Sequence, residues 1–294
     1  MSGEWTGVGG KRVVITGATN GIGLAAAKQL AALRADLAIV ARSPERAAEA
    51  VVQIASASPH GETPDVLIAD LASQSDIRRV AQEISTRYPR LDVLINNAGA
   101  MYTSRQLTPD GVELTWAVNH LAPFALTSLL LDLLKASAPA RVITTASAAH
   151  YGAQIPFDDL NAHRSYPNMG YRRYGESKLA NILFTAELAR RLEGTGVTAN
   201  CFHPGFVGTG FNHNNGGLMR VGMWVSQLFA RRPDKGAETL VWLADSPEVS
   251  EISGAYFVDK RQVRPSPAAR DMAQAARLWQ VSEAMLAATA TGRA

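Results

Sequence analysis

The chain alternates short apolar runs with longer segments of helical periodicity. Buried strands are predicted at residues 11–16, 37–41, 65–69, 91–95, 141–146, 198–202 and 255–258. Helices are predicted at residues 22–33, 45–57, 74–88, 108–135, 171–192 and 235–244, the fourth of them bent or interrupted near Pro123. Continuous apolar strands that alternate with helices predict an α/β fold, a Rossmann-type doubly wound parallel sheet of about seven strands with helices on both faces.

No change in composition and no linker divides the chain, so residues 1–294 are predicted to form one domain. Three stretches have no clear periodicity: residues 151–170, residues 211–232, and the tail from about 260 to 294. Irregular stretches of this length in a compact domain usually carry function.

Composition excludes several classes of protein. Hydrophobic residues make up 47% and charged residues 19% of the 294, which is typical of a globular chain. The net charge of +3 comes without a dense basic run, so nothing supports a nucleic-acid surface. Cys201 is the one cysteine, and no His/Cys/acid cluster has metal-ligand spacing, so neither a disulfide nor a metal is expected. With no signal peptide and no membrane span evident, we expect a soluble, cytoplasmic protein.

A glycine-rich turn lies between the first predicted strand and the first helix. It reads Thr-Gly-Ala-Thr-Asn-Gly-Ile-Gly from Thr16. Gly17 lets the chain turn sharply, Gly21 lets the backbone approach a diphosphate, and Gly23 allows the helix to pack closely on the sheet. With Thr19, Asn20 and Ile22 between them, these residues predict a dinucleotide site. A turn that binds nothing is the alternative.

The end of the second strand indicates which dinucleotide is bound. An acid at this position would hydrogen-bond the ribose 2′-OH and repel a 2′-phosphate. Here the strand is followed by Ala41, Arg42 and Ser43, so a guanidinium stands where the 2′-phosphate would lie. Arg46 adds a second positive charge one helical turn later. The pattern predicts NADP(H), and the alternative is that Arg42 is only a solvated charge.

Tyr174 and Lys178 are four residues apart on a predicted helix, which places them on one face. A phenol is a weak acid at neutral pH, and a neighbouring ammonium is expected to lower its pKa. Ser147 ends the fifth strand, at the carboxyl edge where ligands bind in open α/β sheets. By itself the Tyr-x-x-x-Lys spacing is more often an ordinary surface pair, but with Ser147 at this edge the three residues are candidates for an acid–base site.

Taken together, these motifs resemble the short-chain dehydrogenase/reductase family. The TGxxxGxG turn, an Asn-Asn-Ala-Gly motif ending at Gly99, Asn119, Ser147 and Tyr-x-x-x-Lys appear in the family's order. The resemblance implies that Ser147 hydrogen-bonds a substrate carbonyl and that Tyr174 exchanges its proton. It also implies that Lys178 lowers the Tyr174 pKa and holds the nicotinamide ribose, and that Asn119 positions a relay water.

The same resemblance implies further cofactor contacts. Asp70 and Leu71 would hold the adenine, and Asn97, Ala98 and Gly99 would lie against its ribose. The segment after the sixth strand would hold the carboxamide through Pro204, Gly205, Val207 and Thr209.

The branch of the family is indicated by the separation of Ser147 and Tyr174, which lie 27 residues apart, about twice the usual distance. This insertion, with Gly175-Glu176-Ser177-Lys178, resembles retinol dehydrogenase-like enzymes and implies a small lipophilic ketone, aldehyde or alcohol as substrate. An apolar stripe supports this in a predicted lid at about 208–235; it consists of Leu218, Val221, Trp224, Val225 and Leu228. The stripe has two alternatives, packing on the sheet and, least favoured, contact with a membrane.

Two other functions stay open. One is a catalytically silent NADP-binding regulator on the same fold, against which the complete Ser–Tyr–Lys set argues. The other is a nucleotide-sugar epimerase or dehydratase, which the short C-terminal region disfavours. The pattern leaves open whether the protein is a monomer or a homodimer.

Overall fold

The computed structural model describes residues 4–205 and 232–291. Within these ranges the strands are β1 (Arg12–Thr16), β2 (Asp36–Ala41), β3 (Asp65–Ile68), β4 (Val93–Asn96), β5 (Ala140–Thr145), β6 (Val197–His203), β7 (Tyr256–Val258) and β8 (Arg261–Gln262). They form one sheet in the order β3-β2-β1-β4-β5-β6-β7-β8. The first seven strands are parallel and β8 is antiparallel to β7. The predicted doubly wound parallel sheet is confirmed, with β8 as an additional edge strand.

Helices cover both faces of the sheet. They are α1 (Gly21–Ala32), α2 (Pro44–Ala55), α3 (Gln74–Arg87), α4 (Leu114–Trp116), α5 (Ala122–Leu129), α6 (Leu131–Ala136), α7 (Tyr171–Arg191), α8 (Pro233–Asp245) and α9 (Met272–Thr291). Helices α1, α2 and α8 share one hydrophobic core, α3, α5, α6 and α7 share a second, and residues of α4, α7 and α9 form a third. Among the described helices, none is long and apolar enough to cross a membrane.

The strands contribute side chains to the cores on both faces of the sheet, because successive side chains point in opposite directions. In β1, Val13 and Ile15 are buried on the side of α1, whereas Val14 between them is buried on the side of α3. A strand that is apolar at every position therefore has both faces covered. Local capping sets where helices begin: Ser43 accepts a hydrogen bond from the amide of Arg46 at the start of α2.

The predicted helix at 108–135 is wrong at its beginning, whereas its predicted interruption near Pro123 is confirmed. Thr108 to Gly111 form a turn, in which the Thr108 hydroxyl accepts from the amides of Asp110 and Val112, and helical structure starts at Leu114. The chain then passes through a π-helical segment, Ala117–Leu121. Pro123 itself lies in the first turn of α5, where a missing N–H costs nothing.

The tail after residue 260 was predicted to be irregular, which is wrong for its second half. Helix α9 packs along α7. Its buried residues Ala275, Leu278, Trp279 and Ser282 follow an i, i+3, i+4, i+7 spacing, which is a helical signal present in the sequence. By contrast, residues 151–167 contain no helix or strand, as expected.

Candidate active site

The glycine-rich turn has the shape that a diphosphate site requires. Gly17 and Gly21 have φ values of 70° and 52°, in the left-handed region that favours glycine. A Cβ at Gly23 would collide with the carbonyl oxygen of Gly17 and lie 2.5 Å from Nδ2 of Asn97. The N-cap Asn20 is extended and makes no side-chain cap hydrogen bond to α1. The first turn of α1 thus presents amides that no capping side chain covers, which fits an anionic diphosphate.

The strand ends beneath this turn are tied together by Thr16, which the sequence analysis did not single out. Its hydroxyl accepts from the amides of Asn97 (3.0 Å) and Ala98 (3.1 Å). Nδ2 of Asn97 in return donates to the carbonyls of Thr16 (3.1 Å) and Gly17 (3.2 Å). The signal available in the sequence was that Thr16 is a polar residue at the end of a buried strand. These bonds hold the β1 and β4 ends, with Gly99, at the point where the strand order reverses.

Arg42 lies exposed directly after β2, and Asp70 lies after β3. Oδ1 of Asp70 accepts from the amide of Ala72 at 2.9 Å, which fixes that carboxylate at the sheet edge. The Arg42 side chain hydrogen-bonds the hydroxyl of Tyr102; burial raises the pKa of that hydroxyl, while Arg42 acts to lower it. Leu71, Thr19 and Ile22 are half-buried near the ends of the same strands. The contact between Arg42 and Tyr102 is long-range and could not be predicted from the sequence.

Ser147, Tyr174 and Lys178 come together at the carboxyl edge of β5. The side chains of Tyr174 and Ser147 are hydrogen-bonded to each other. Nζ of Lys178 lies 5.6 Å from the centre of the Tyr174 ring and donates to the carbonyl of Thr145 at 2.9 Å. A Cβ at Gly99 would lie 3.4 Å from Nζ of Lys178, so the glycine leaves room for the ammonium.

Burial dominates the electrostatics of this group. It raises the pKa of Tyr174 to about 12, and the hydrogen bond with Ser147 only partly opposes it. It also lowers the pKa of Lys178 to about 8. Desolvation of the phenolate is the largest effect on this pKa, and the lowering by Lys178 stays a prediction. At neutral pH the phenol keeps its proton and can donate it.

Asn119 lies in the π-helical segment and is fully buried. Its Oδ1 accepts from the amide of Ala100 (2.8 Å), and its Nδ2 donates to the carbonyl of Ala100 (2.9 Å) and to the hydroxyl of Ser177 (3.0 Å). The side-chain amide is thus engaged by protein groups. Asn119 therefore connects the segment after β4 to α7, next to Lys178.

The remaining predicted contacts lie only in part within the described residues. Pro204 and Gly205 follow β6 at the same sheet edge as Ser147, and Gly205 has a φ of 82°. Val207, Thr209 and the apolar stripe of the predicted lid lie outside the described residues.

A buried ionic cluster beside the site was not predicted. Nε of Arg173 donates to Glu113 at 2.8 Å, and Nη1 of Arg173 donates to Glu176 at 3.1 Å. Glu113 also accepts from the hydroxyl of Tyr166, which lies in the loop between Ser147 and α7. The cluster therefore anchors this loop to the first turn of α7. The sequence shows these residues as ordinary surface charges because their partners are far apart along the chain.

A parallel sheet whose first turn is shaped for a diphosphate defines the Rossmann class of dinucleotide-binding proteins. Residues 11–217 match the family described as short chain dehydrogenase. Retinol dehydrogenase 14 of Mus musculus is 44% identical over 94% of this chain and 86% of its own length. A Streptomyces sp. (strain C5) protein with the provisional name daunorubicin C-13 ketoreductase DnrU is 40% identical over 97% of this chain and 95% of its own length.

Solved structures agree with this assignment. An uncharacterised protein from Mycobacterium paratuberculosis superposes with a TM-score of 0.76 at 30% identity, covering 98% of each chain. A short chain dehydrogenase from Burkholderia cenocepacia J2315, solved in complex with NADP, superposes with a TM-score of 0.67 at 30% identity, covering 85% of this chain and 96% of that one. The chain belongs to the short-chain dehydrogenase/reductase family, in its retinol dehydrogenase-like branch. It is accordingly an oxidoreductase that acts on CH–OH groups with a nicotinamide dinucleotide.

Proposed function

We propose that the chain is an NADP(H)-dependent reductase or dehydrogenase that interconverts a lipophilic ketone or aldehyde and its alcohol. The observation that carries the proposal is the hydrogen bond between Tyr174 and Ser147, with the buried ammonium of Lys178 next to the Tyr174 ring. The relatives support the substrate class, because retinol is a lipophilic alcohol and the ketoreductase name specifies a ketone.

Tyr174 acts as the general acid in the reducing direction and as the general base in the oxidising direction. The nicotinamide, when bound, supplies or accepts the hydride at the substrate carbon. Because burial keeps the phenol protonated, Tyr174 delivers its proton to the carbonyl oxygen as that oxygen gains negative charge. Ser147 donates a hydrogen bond to the same oxygen and orients it toward Tyr174.

Lys178 and Asn119 support the proton transfer. The Lys178 ammonium, held by the carbonyl of Thr145, places positive charge beside the phenolate that forms when Tyr174 gives up its proton. It would also hold the nicotinamide ribose. Asn119 keeps the segment at Ala100 and the hydroxyl of Ser177 in place beside Lys178. The relay water would bind next to these groups.

NADP(H) binds along the carboxyl ends of β1 to β6 in this proposal. The diphosphate would be held by the turn from Gly17 to Gly23, and the 2′-phosphate by Arg42. Asp70 and Leu71 would hold the adenine, and Asn97, Ala98 and Gly99 its ribose. Pro204, Gly205, Val207 and Thr209 would hold the carboxamide.

Replacing Tyr174 with Phe tests the chemistry. The variant keeps the ring that packs beside Lys178 and loses only the hydroxyl, so we expect NADPH to bind with unchanged affinity while turnover falls by at least about 100-fold. Binding is followed by NADPH fluorescence, and turnover by absorbance at 340 nm with retinaldehydes, aliphatic aldehydes, steroids and aromatic ketones. Normal turnover in Tyr174→Phe refutes the assignment. NADPH binding without turnover of any carbonyl by the wild type indicates the silent regulator instead.

Replacing Arg42 with Asp tests the cofactor preference. The new carboxylate repels the 2′-phosphate and accepts from a ribose hydroxyl, so kcat/KM should shift from NADPH toward NADH by about 100-fold or more. Arg34→Asp is the matched control, because Arg34 is an exposed arginine at the opposite end of β2. An unchanged ratio of NADPH to NADH activity in Arg42→Asp contradicts the proposed role.

A further inference from the structure

His150 is held by hydrogen bonds on both ring nitrogens. Its Nδ1 lies 2.7 Å from the carbonyl oxygen of Ser147, and its Nε2 lies 3.2 Å from the backbone nitrogen of Ser266. The Ser266 amide can only donate, so Nε2 must accept and Nδ1 must carry the ring proton. The imidazole is therefore neutral, and it donates to Ser147 through Nδ1.

The partner on the Nε2 side is unusual in its sequence. Ser266 stands between Pro265 and Pro267, so its amide is the only backbone N–H in three consecutive residues. That single donor is directed at His150. The Ser266 carbonyl accepts from the amide of Ala269, which anchors the segment in the following turn. The Pro-Ser-Pro segment of the C-terminal region is thus hydrogen-bonded to Nε2 of His150.

The surroundings of His150 favour the neutral ring. The side chain is fully buried, with the Tyr151 ring centre 4.1 Å away and the Tyr256 ring centre 5.2 Å away. Burial lowers the pKa of His150, although the bond to Ser147 opposes this. Protonation would also turn Nε2 into a donor that faces the donor of Ser266.

The short turn that carries His150 is packed against the helix of the proposed catalytic tyrosine. A Cβ at Gly175 would lie 2.5 Å from the carbonyl oxygen of Ala149, so helix and turn approach as closely as a glycine allows. Ser147 begins this turn, and its hydroxyl also accepts from the amide of Ala149. The orientation of Ser147 toward Tyr174 therefore depends on how firmly the turn is held from its other side, where His150 lies.

We propose that His150 is a positioning residue: its neutral imidazole clamps the carbonyl of Ser147 to the backbone of Ser266 and thereby holds the Ser147 hydroxyl against Tyr174. This inference rests on the proposed function, since it assigns His150 a task only if Ser147 and Tyr174 perform the chemistry. His150 touches neither substrate nor cofactor in this role.

Two substitutions separate the two hydrogen bonds. His150→Asn puts an amide N–H where Nδ1 stood and keeps the bond to Ser147, whereas His150→Gln puts an amide oxygen near the place of Nε2 and keeps the bond to Ser266. Each variant breaks one side of the clamp. Since a misplaced reacting group costs up to about 100-fold, we expect both His150→Asn and His150→Gln to lose at least about tenfold in kcat, with NADPH affinity unchanged in both.

A kcat within about threefold of the wild type in either variant, or an effect confined to KM, overturns the clamp. Thermal unfolding of both variants checks that each remains folded. Failure of the proposed function has a different signature, because the wild type would then turn over no carbonyl or Tyr174→Phe would remain active.

A second measurement does not depend on activity. In the wild type, ¹⁵N-labelled histidine spectra report which ring nitrogen carries the proton, and the signal lost in His150→Asn identifies His150 among the six histidines. We expect a neutral ring with the proton on Nδ1 at neutral pH and a pKa below the ordinary histidine value, because burial lowers it. A proton on Nε2, or a ring that titrates with an ordinary histidine pKa of about 6.5, overturns the inference.

Discussion

Glu113 is the position where a change of one charge should have the largest effect on stability. The carboxylate is fully buried and accepts from the amides of Thr115 and Trp116, the hydroxyl of Tyr166 and Nε of Arg173, all at 2.8–3.1 Å. In Glu113→Gln one carboxylate oxygen becomes an NH₂ group that faces N–H and O–H donors, while Arg173, only 3% exposed, loses one ion-pair partner and keeps Glu176.

The size of the effect follows from this burial. Removing one partner of a buried ion pair costs about 3–5 kcal/mol when the other charge is left unpaired, and this range is an upper bound here because Glu176 still pairs with Arg173. Out of a typical stability of about 5–15 kcal/mol, such a loss should move the urea midpoint by about 1 M or more. Urea unfolding followed by circular dichroism measures the shift.

The loop between Ser147 and α7, which Glu113 contacts through Tyr166, provides a matched control. Asp158 and Arg164 form an ion pair at 2.5 Å, but both side chains are about two-thirds exposed. Asp158→Asn should leave the urea midpoint unchanged, because water replaces the lost partner. A Glu113→Gln midpoint as close to the wild type as that of Asp158→Asn refutes the reasoning. The double variant Glu113→Gln/Arg173→Gln should lose less stability than the two single losses added together.

Two further predictions concern the packing around α7. The pKa of Lys178 is lowered by burial from 10.5 to about 8, which corresponds to at most about 3 kcal/mol of stability lost at pH 7. Lys178→Met should therefore be more stable than the wild type below pH 8. This advantage should vanish toward pH 10.5, because the unfolded wild type binds more protons than the folded one between these pH values. Urea unfolding at pH 7 and pH 10 measures the difference in stability, and a difference that does not change with pH contradicts the prediction. Trp279 is 6% exposed, with its ring centre 4.8 Å from that of Phe124, so Trp279→Ala should cost about 3–5 kcal/mol; a thermal midpoint within 1 °C of the wild type contradicts a docked α9.

Much of the fold was readable from the chain because it is written in local periodicity. The strand–helix alternation places β1 to β7 within a few residues of their observed bounds. The turn from Gly17 to Gly23 and the spacing of Tyr174 and Lys178 were equally local, since each depends only on neighbours along one strand end or helix face. These features, with the order of motifs, were sufficient to identify the family.

The three-dimensional structure decided what depends on contacts between distant residues. The pKa of Tyr174 moves up and not down because the packed chain strips water from the phenol, and no spacing rule reports that desolvation. Likewise, Glu113 becomes a buried charge, and His150 a neutral one, only when segments 60 and 116 residues away reach them. Local sequence determines which elements form and which chemical groups stand at their ends; the dielectric and the hydrogen-bond partners around those groups exist only after the elements have packed.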